Sequence, residues 1–207
     1  IAWLAGVLGL PDARAVVDLA MSVPLGAGGL RFLPFVNGGG GVTAGFVGLK
    51  SHHTRGDMAR AVVDAVAALH ARHTARLAAG GLPVSASTVL GGGASDTRLV
   101  RLLAGLLGHP VERCADDETG ARGAAIYAAR SQGIDPHPLH ANCDTVEPDA
   151  SQARAHADFN ASFNELIATM SPVFGHLAGT SPDTAPPLPA LACTPATTPA
   201  QSVEALP

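Results

Sequence analysis

Three consecutive glycines, Gly91, Gly92 and Gly93, separate an apolar run from an apolar periodic segment, and no other stretch of the chain restricts the fold as much. Val84 to Leu90 has the β-branched content of a buried strand. After the glycines, Leu99, Val100, Leu102, Leu103, Leu106 and Leu107 recur at helical spacing. Gly108 with Pro110 beyond it is a helix stop. The order is therefore strand, glycine turn, helix. Glycines at such a turn let a flat or anionic ligand approach the backbone, and the amides of the helix start favour negative charge. The local pattern serves equally for a tight turn with no ligand.

Two common glycine motifs are absent. A dinucleotide fingerprint needs glycine where Asp96 stands. A Walker loop needs Gly-Lys-Ser/Thr, and the single lysine is Lys50. At 207 residues the chain has room for one large domain or two small ones, and a formal charge of −4 leaves no nucleic-acid footprint. Cys114, Cys143 and Cys193 form neither a zinc pattern nor an evident disulfide framework, which suits a reducing cytoplasm. No apolar run reaches the length of a membrane span. The first residue is Ile1, so a piece of a longer protein is expected.

In chain order, residues 2 to 9 read as the end of a helix with Trp3 as a packing residue. Pro11-Asp12 opens a second helix through Met21. Gly29 to Phe35 and Gly45 to Leu49 read as short extended pieces, joined by a connecting loop over Asn37 to Gly41. Thr54 to Asp57 has capping-box spacing with aspartate in the glutamate place. The helix that follows to Ala79 carries one stripe of Met58, Ala61, Val62, Ala65, Val66 and Leu69. His70 and His73 share a face of it and are expected to be solvated; His52 and His53 carry no catalytic pattern. Val111 to Cys114 reads as a strand, and Asp116, Asp117 and Glu118 as acidic complements of the next helix start, or as neighbours of a metal-nucleotide. The helix from Gly120 to Gln132 is built of small residues that allow close approach of another element. Residues 134 to 150 read as loop, and a last helix runs from Gln152 to Met170 with Phe159, Phe163, Leu166, Ile167 and Met170 on its apolar face. From Ser181 to Pro207 the Pro/Thr/Ala-rich composition predicts a disordered tail, leaving residues 1 to 180 as the folded unit.

Taken together, five segments resemble the C-terminal domain of the FGGY carbohydrate kinases, over about residues 2 to 133. They are Trp3-Leu4; Gly29-Leu30 with Phe32-Leu33-Pro34-Phe35 and Asn37-Gly38; Gly45-Phe46-Val47-Gly48-Leu49 with His53-Thr54-Arg55-Gly56-Asp57 and Arg60-Ala61-Val62; Gly91-Gly92-Gly93-Ala94-Ser95; and Glu118-x-Gly120-Ala121 with Gly123-Ala124-Ala125. The resemblance implies an actin-like, ribonuclease-H-like α/β domain, one lobe of a two-lobe kinase that closes on ATP, with Mg2+, and a sugar or polyol. It places Gly91, Gly92, Gly93 and Ala94 in the adenosine loop, Asp96 where relatives often have Asn or Ser touching adenine, and Gly38 on the phosphate side. It implies that this lobe mainly holds nucleotide. The catalytic aspartate, most of the sugar site and the phosphate loops belong to segments that this sequence does not contain, so no catalytic residue is assigned and the isolated chain is expected to be inactive. The implied partners are the substrate, the N-terminal lobe and, as an option, a second copy in a homodimer. The chain departs from the family's Glu-Arg-x-Pro after Gly38, having Gly39-Gly40-Gly41-Val42. A degenerate, non-catalytic nucleotide- or partner-binding module is the alternative, and an actin-like ATPase with no sugar substrate a weaker third reading.

Overall fold

The computed structural model describes residues 1–36, 43–114, 118–136 and 143–178. The Asn37 to Gly41 loop with Gly38, the acidic residues Asp116 and Asp117, and the segment from 181 to 207 lie outside the described residues. Two short helices open the chain, α1 (Ala2–Leu8) and α2 (Ala13–Met21). Asp12 caps α2, its Oδ1 accepting from the Ala15 amide at 2.8 Å, as the Pro11-Asp12 start implies. Strands β1 (Arg31–Leu33) and β2 (Gly45–Val47) form an antiparallel pair with Phe32 opposite Phe46. Trp3 packs as expected on one face only: it lies 6.2 Å from the Phe32 ring and remains half exposed.

Helix α3 (Arg55–Ala79) is the centre of the molecule. It starts where the sequence says it should. The Asp57 carboxylate accepts from the Thr54 amide at 2.7 Å and the Thr54 hydroxyl accepts from the Asp57 amide at 3.3 Å, so aspartate completes a capping box despite its shorter side chain. The expected single stripe is too narrow. Met58, Val66 and Leu69 are half buried, whereas Ala59, Val63, Asp64, Ala67 and Ala68 are buried as well. The reason is that α3 is enclosed by α2, β1, helix α4 (Thr97–Leu107) and helix α6 (Ala153–Ala178). Its alanines let these neighbours come close. His70 and His73 are exposed.

The second half supplies a three-stranded sheet. Strands β3 (Ser87–Leu90) and β4 (Val111–Cys114) pair in parallel, with α4 as the crossover between them. Strand β5 (Asp144–Val146) adds antiparallel to β4, with Val111 opposite Val146. β5 corrects the expectation of loop over 134 to 150. Three residues with one inward valine leave almost no alternation for a sequence reading to find. β3 also differs from expectation, since its residues alternate between half-buried and exposed and Leu90 is 52% exposed. Only the Val89 face meets the small core of Val100, Ala104, Val111 and Val146 between the sheet and α4. The main core lies around α3 and takes in Leu4, Val16, Leu30, Phe159 and Phe163.

Helix α5 (Thr119–Ser131) follows β4 and, contrary to the close approach its small residues suggest, none of its residues is buried. Its excursion from the sheet is tied at the base by a disulfide between Cys114 and Cys143, 29 residues apart with Cα atoms 4.3 Å apart. This corrects the expectation of no disulfide framework. The β4–β5 register sets Arg113 opposite Asp144, which brings the two cysteines to the next position of the same ladder. Helix α6 runs past the expected end at Met170, through Pro172 to Ala178. Phe174 packs against the main core beyond the proline, so the helix continues past the missing backbone donor to a further core contact. Among the described residues no helix is long and apolar enough to cross a membrane.

Helices α4 and α6 meet at a notch. His156 of α6 is 5% exposed and lies over Gly105, in the interior of α4. A Cβ on Gly105 would stand 2.7 Å from His156 Nδ1, an atom that has no hydrogen-bond partner among the described residues. Gly105→Ala is therefore expected to destabilise by about 1–2 kcal/mol, overpacking outweighing alanine's better helix propensity. Urea unfolding checks this. In Gly105→Ala/His156→Ala the cost of the Gly105 change should largely vanish, which identifies the ring as the obstacle.

Candidate functional site

The turn after β3 is a short 3-10 segment, Gly91–Ala94. Gly91 has φ +69°, the left-handed region that L side chains avoid. The Gly92 carbonyl accepts from the Ser95 hydroxyl at 2.7 Å, which closes the turn. Ala94 points inward and is fully buried. Asp96 caps α4, its Oδ1 accepting from the Arg98 amide at 2.8 Å. The Arg98 guanidinium folds back on the same carboxylate and also pairs with Asp18 of α2. Arg98 thus bridges the two helices beside the turn. Its hydrogen bonds hold the Asp96 carboxyl below the usual range, so Asp96 is an anion at neutral pH. On the other flank, Arg113 of β4 donates to the Thr97 hydroxyl at 2.9 Å and to Asp144 at 2.9 Å, which fixes the start of α4 against the sheet.

A cavity of about 230 Å3 opens between this turn and the start of α2. Gly92, Gly93, Ser95 and Asp96 form one wall, and Ala13, Arg14 and Val17 of α2 face them. Its volume is below the ~300–1,000 Å3 of sites that enclose a drug-sized ligand, so it suits a flat ring system with the remainder of the ligand outside. At Gly92 a Cβ would meet no atom within 4 Å, so its hydrogen side is open space. A larger hollow of about 430 Å3 lies where α2 meets the start of α3. Its polar groups are already engaged, Thr54 in the capping box and Arg55 with the Leu8 carbonyl.

Of the residues singled out from the sequence, Gly92, Gly93 and Asp96 come together at the cavity. Gly91 shapes the turn and Ala94 anchors it, and neither lines the cavity. Gly38 lies outside the described residues. Ser95, Arg14, Ala13 and Val17 were not anticipated as lining. The three on α2 are separated from the turn by more than 70 residues, and no local pattern signals that α2 packs there. Among the described residues no three His, Cys, Asp or Glu side chains stand close enough to hold a metal ion.

A family model for the C-terminal domain of the FGGY family of carbohydrate kinases matches residues 13–132, more than half of the chain. The chain is a member of the FGGY carbohydrate kinase family. The L-xylulose/3-keto-L-gulonate kinase of Escherichia coli (strain K12) is 28% identical over 177 residues, covering 81% of this FGGY chain and 36% of that protein. The glycerol kinase of Leptothrix cholodnii is 37% identical over 144 residues, covering 64% and 29%. The crystal structure of xylulose kinase from Rhodospirillum rubrum aligns with a TM-score of 0.67 at 30% identity, covering 83% of this chain and 38% of that one. The FGGY chain thus has the actin-like ATPase fold of its relatives and spans about a third of their length.

Proposed function

We propose that this chain is the nucleotide-holding C-terminal lobe of an ATP-dependent sugar or polyol kinase. The observation that carries the reading is the convergence of Gly92, Gly93 and Asp96 on one cavity of a ring system's size, in a chain of the FGGY family. In this reading the open side of Gly92 lets the base lie against the backbone, and the capped, cross-braced start of α4 holds that wall rigid. Bound nucleotide brings the transferable phosphoryl group and, on its phosphate oxygens, Mg2+. The carboxylate of Asp96 repels phosphates, so they extend away from it. This lobe orients the nucleotide and contributes to catalysis by positioning, while the base that deprotonates the acceptor hydroxyl comes from the N-terminal lobe. The chain alone therefore binds nucleotide without turning over sugar. The reading sets the protein in the cytoplasm, where cellular thiols contest the Cys114–Cys143 bond.

The test is a calorimetric titration with Mg-ADP. Wild type is expected to bind, and Gly92→Val to bind at least about tenfold more weakly with an unchanged thermal melt, since the added methyls enter open space. Equal binding by both proteins would move the nucleotide elsewhere.

A further inference from the structure

We propose that Arg14 is a positioning residue of this cavity, its guanidinium stacking on the outer face of a purine base that rests against Gly92 and Gly93. The proposal rests on the nucleotide reading and adds the residue that holds the base. Arg14 lines the cavity from α2, opposite the glycine wall. Among the described residues its side chain makes no hydrogen bond and no ion pair, although acids stand on both sides of it. Asp12 is engaged by the Ala15 amide as the cap of α2. Asp18, one turn along the same face, is engaged by Arg98. Asp96 across the cavity is engaged by Arg98 too. The second residue of α2 is also the end of a helix where a cation is disfavoured. Among the described residues Arg14 is therefore a cation without a structural partner, at a position that gives it no help from its own helix.

The surroundings indicate what it would touch. Ala13 and Val17 of α2, and Leu99 of α4, give the cavity apolar lining beside Arg14. A planar delocalised cation at a partly apolar cavity suits the face of an aromatic ring, and a purine offers the larger face. A phosphate is the poorer partner, because the ionised Asp96 shares the cavity and because a whole nucleotide exceeds about 230 Å3.

The experiment titrates the full chain with Mg-ADP, adenosine and Mg-CDP, using wild type, Arg14→Ala, Arg14→Lys and Gly92→Val. Arg14→Ala is expected to weaken Mg-ADP and adenosine by the same factor, about 5- to 30-fold. Arg14→Lys should recover little, because it keeps the charge and loses the plane. The wild-type preference for Mg-ADP over Mg-CDP should shrink in Arg14→Ala. Because Arg14 is exposed, the melts should stay unchanged. If Mg-ADP weakens and adenosine does not, Arg14 contacts phosphate and the stacking role is overturned. If Arg14→Ala binds like wild type while Gly92→Val does not bind, the cavity is right and the assignment of Arg14 is wrong. If Gly92→Val binds like wild type, or wild type does not bind, the nucleotide reading itself falls.

Discussion

Arg60→Met is expected to cost about 3 kcal/mol of stability at pH 7.5 and only about 1 kcal/mol at pH 5. Arg60 and Asp64 stand one turn apart on α3, both buried, with Nε 2.8 Å from Oδ1. Asp64 Oδ2 accepts from the Gly26 amide at 2.8 Å, and Arg60 donates to the Val23 carbonyl at 3.1 Å. The pair thereby pins the 23–26 segment that leads into β1. Burial raises the Asp64 carboxyl to about 6, against the downward pull of Arg60 and of the Gly26 amide. A folded pKa above the unfolded value means that this group's contribution to stability is full below about pH 3.8 and is lost as pH rises through 6. Without Arg60 the largest downward pull disappears, the carboxyl rises further, and the loss extends to higher pH. At pH 5 Asp64 is mostly protonated in either protein, so only Arg60's own hydrogen bonds are missed. Urea titrations at the two pH values measure the difference. Arg60→Met/Asp64→Leu should recover most of the loss at pH 7.5, because no unpaired charge remains buried. An equal cost at both pH values would mean that Arg60 does not shift the titration of the Asp64 carboxyl between pH 5 and 7.5.

Replacing both cysteines, as Cys114→Ala/Cys143→Ala, is expected to lower stability by about 3.6 kcal/mol, the chain-entropy value for a loop of 29 residues. The loop contains all of α5, which buries none of its residues and so supplies little packing to close the loop unaided. Urea unfolding of the oxidised protein and of the variant should give clearly separated midpoints. The variant should also show a steeper dependence on urea, since its unfolded chain expands further. Coincident midpoints would show that the β4–β5 ladder alone holds the excursion.

What could be read from the sequence was local. The capping box of Thr54 and Asp57, the Asp12 cap, the Gly108 stop and the glycine turn each depend on residues within four positions, and each is found where expected. The family motifs are legible for the same reason. What escaped depends on packing between distant segments. The spacing of Arg60 and Asp64 is visible in sequence, but their burial follows only from the elements that enclose α3. The pairing of Cys114 with Cys143 requires the register of β5, whose three residues give no pattern. Arg14 and Val17 reach the cavity because Arg98 ties α2 to α4, a contact across 80 residues. The candidate site was thus half legible. The wall made by the turn could be read, and the wall made by α2 could not.

The sulfur bridge at the base of α5 also decides what a broken peptide bond would mean. A single cut in α5, a helix none of whose residues is buried, would leave both pieces joined through Cys114 and Cys143. The severed chain would keep β3, β4 and β5 on one covalent body, and with them the two networks that brace the glycine turn. Around a helix that buries no residue, the chain has a second connection.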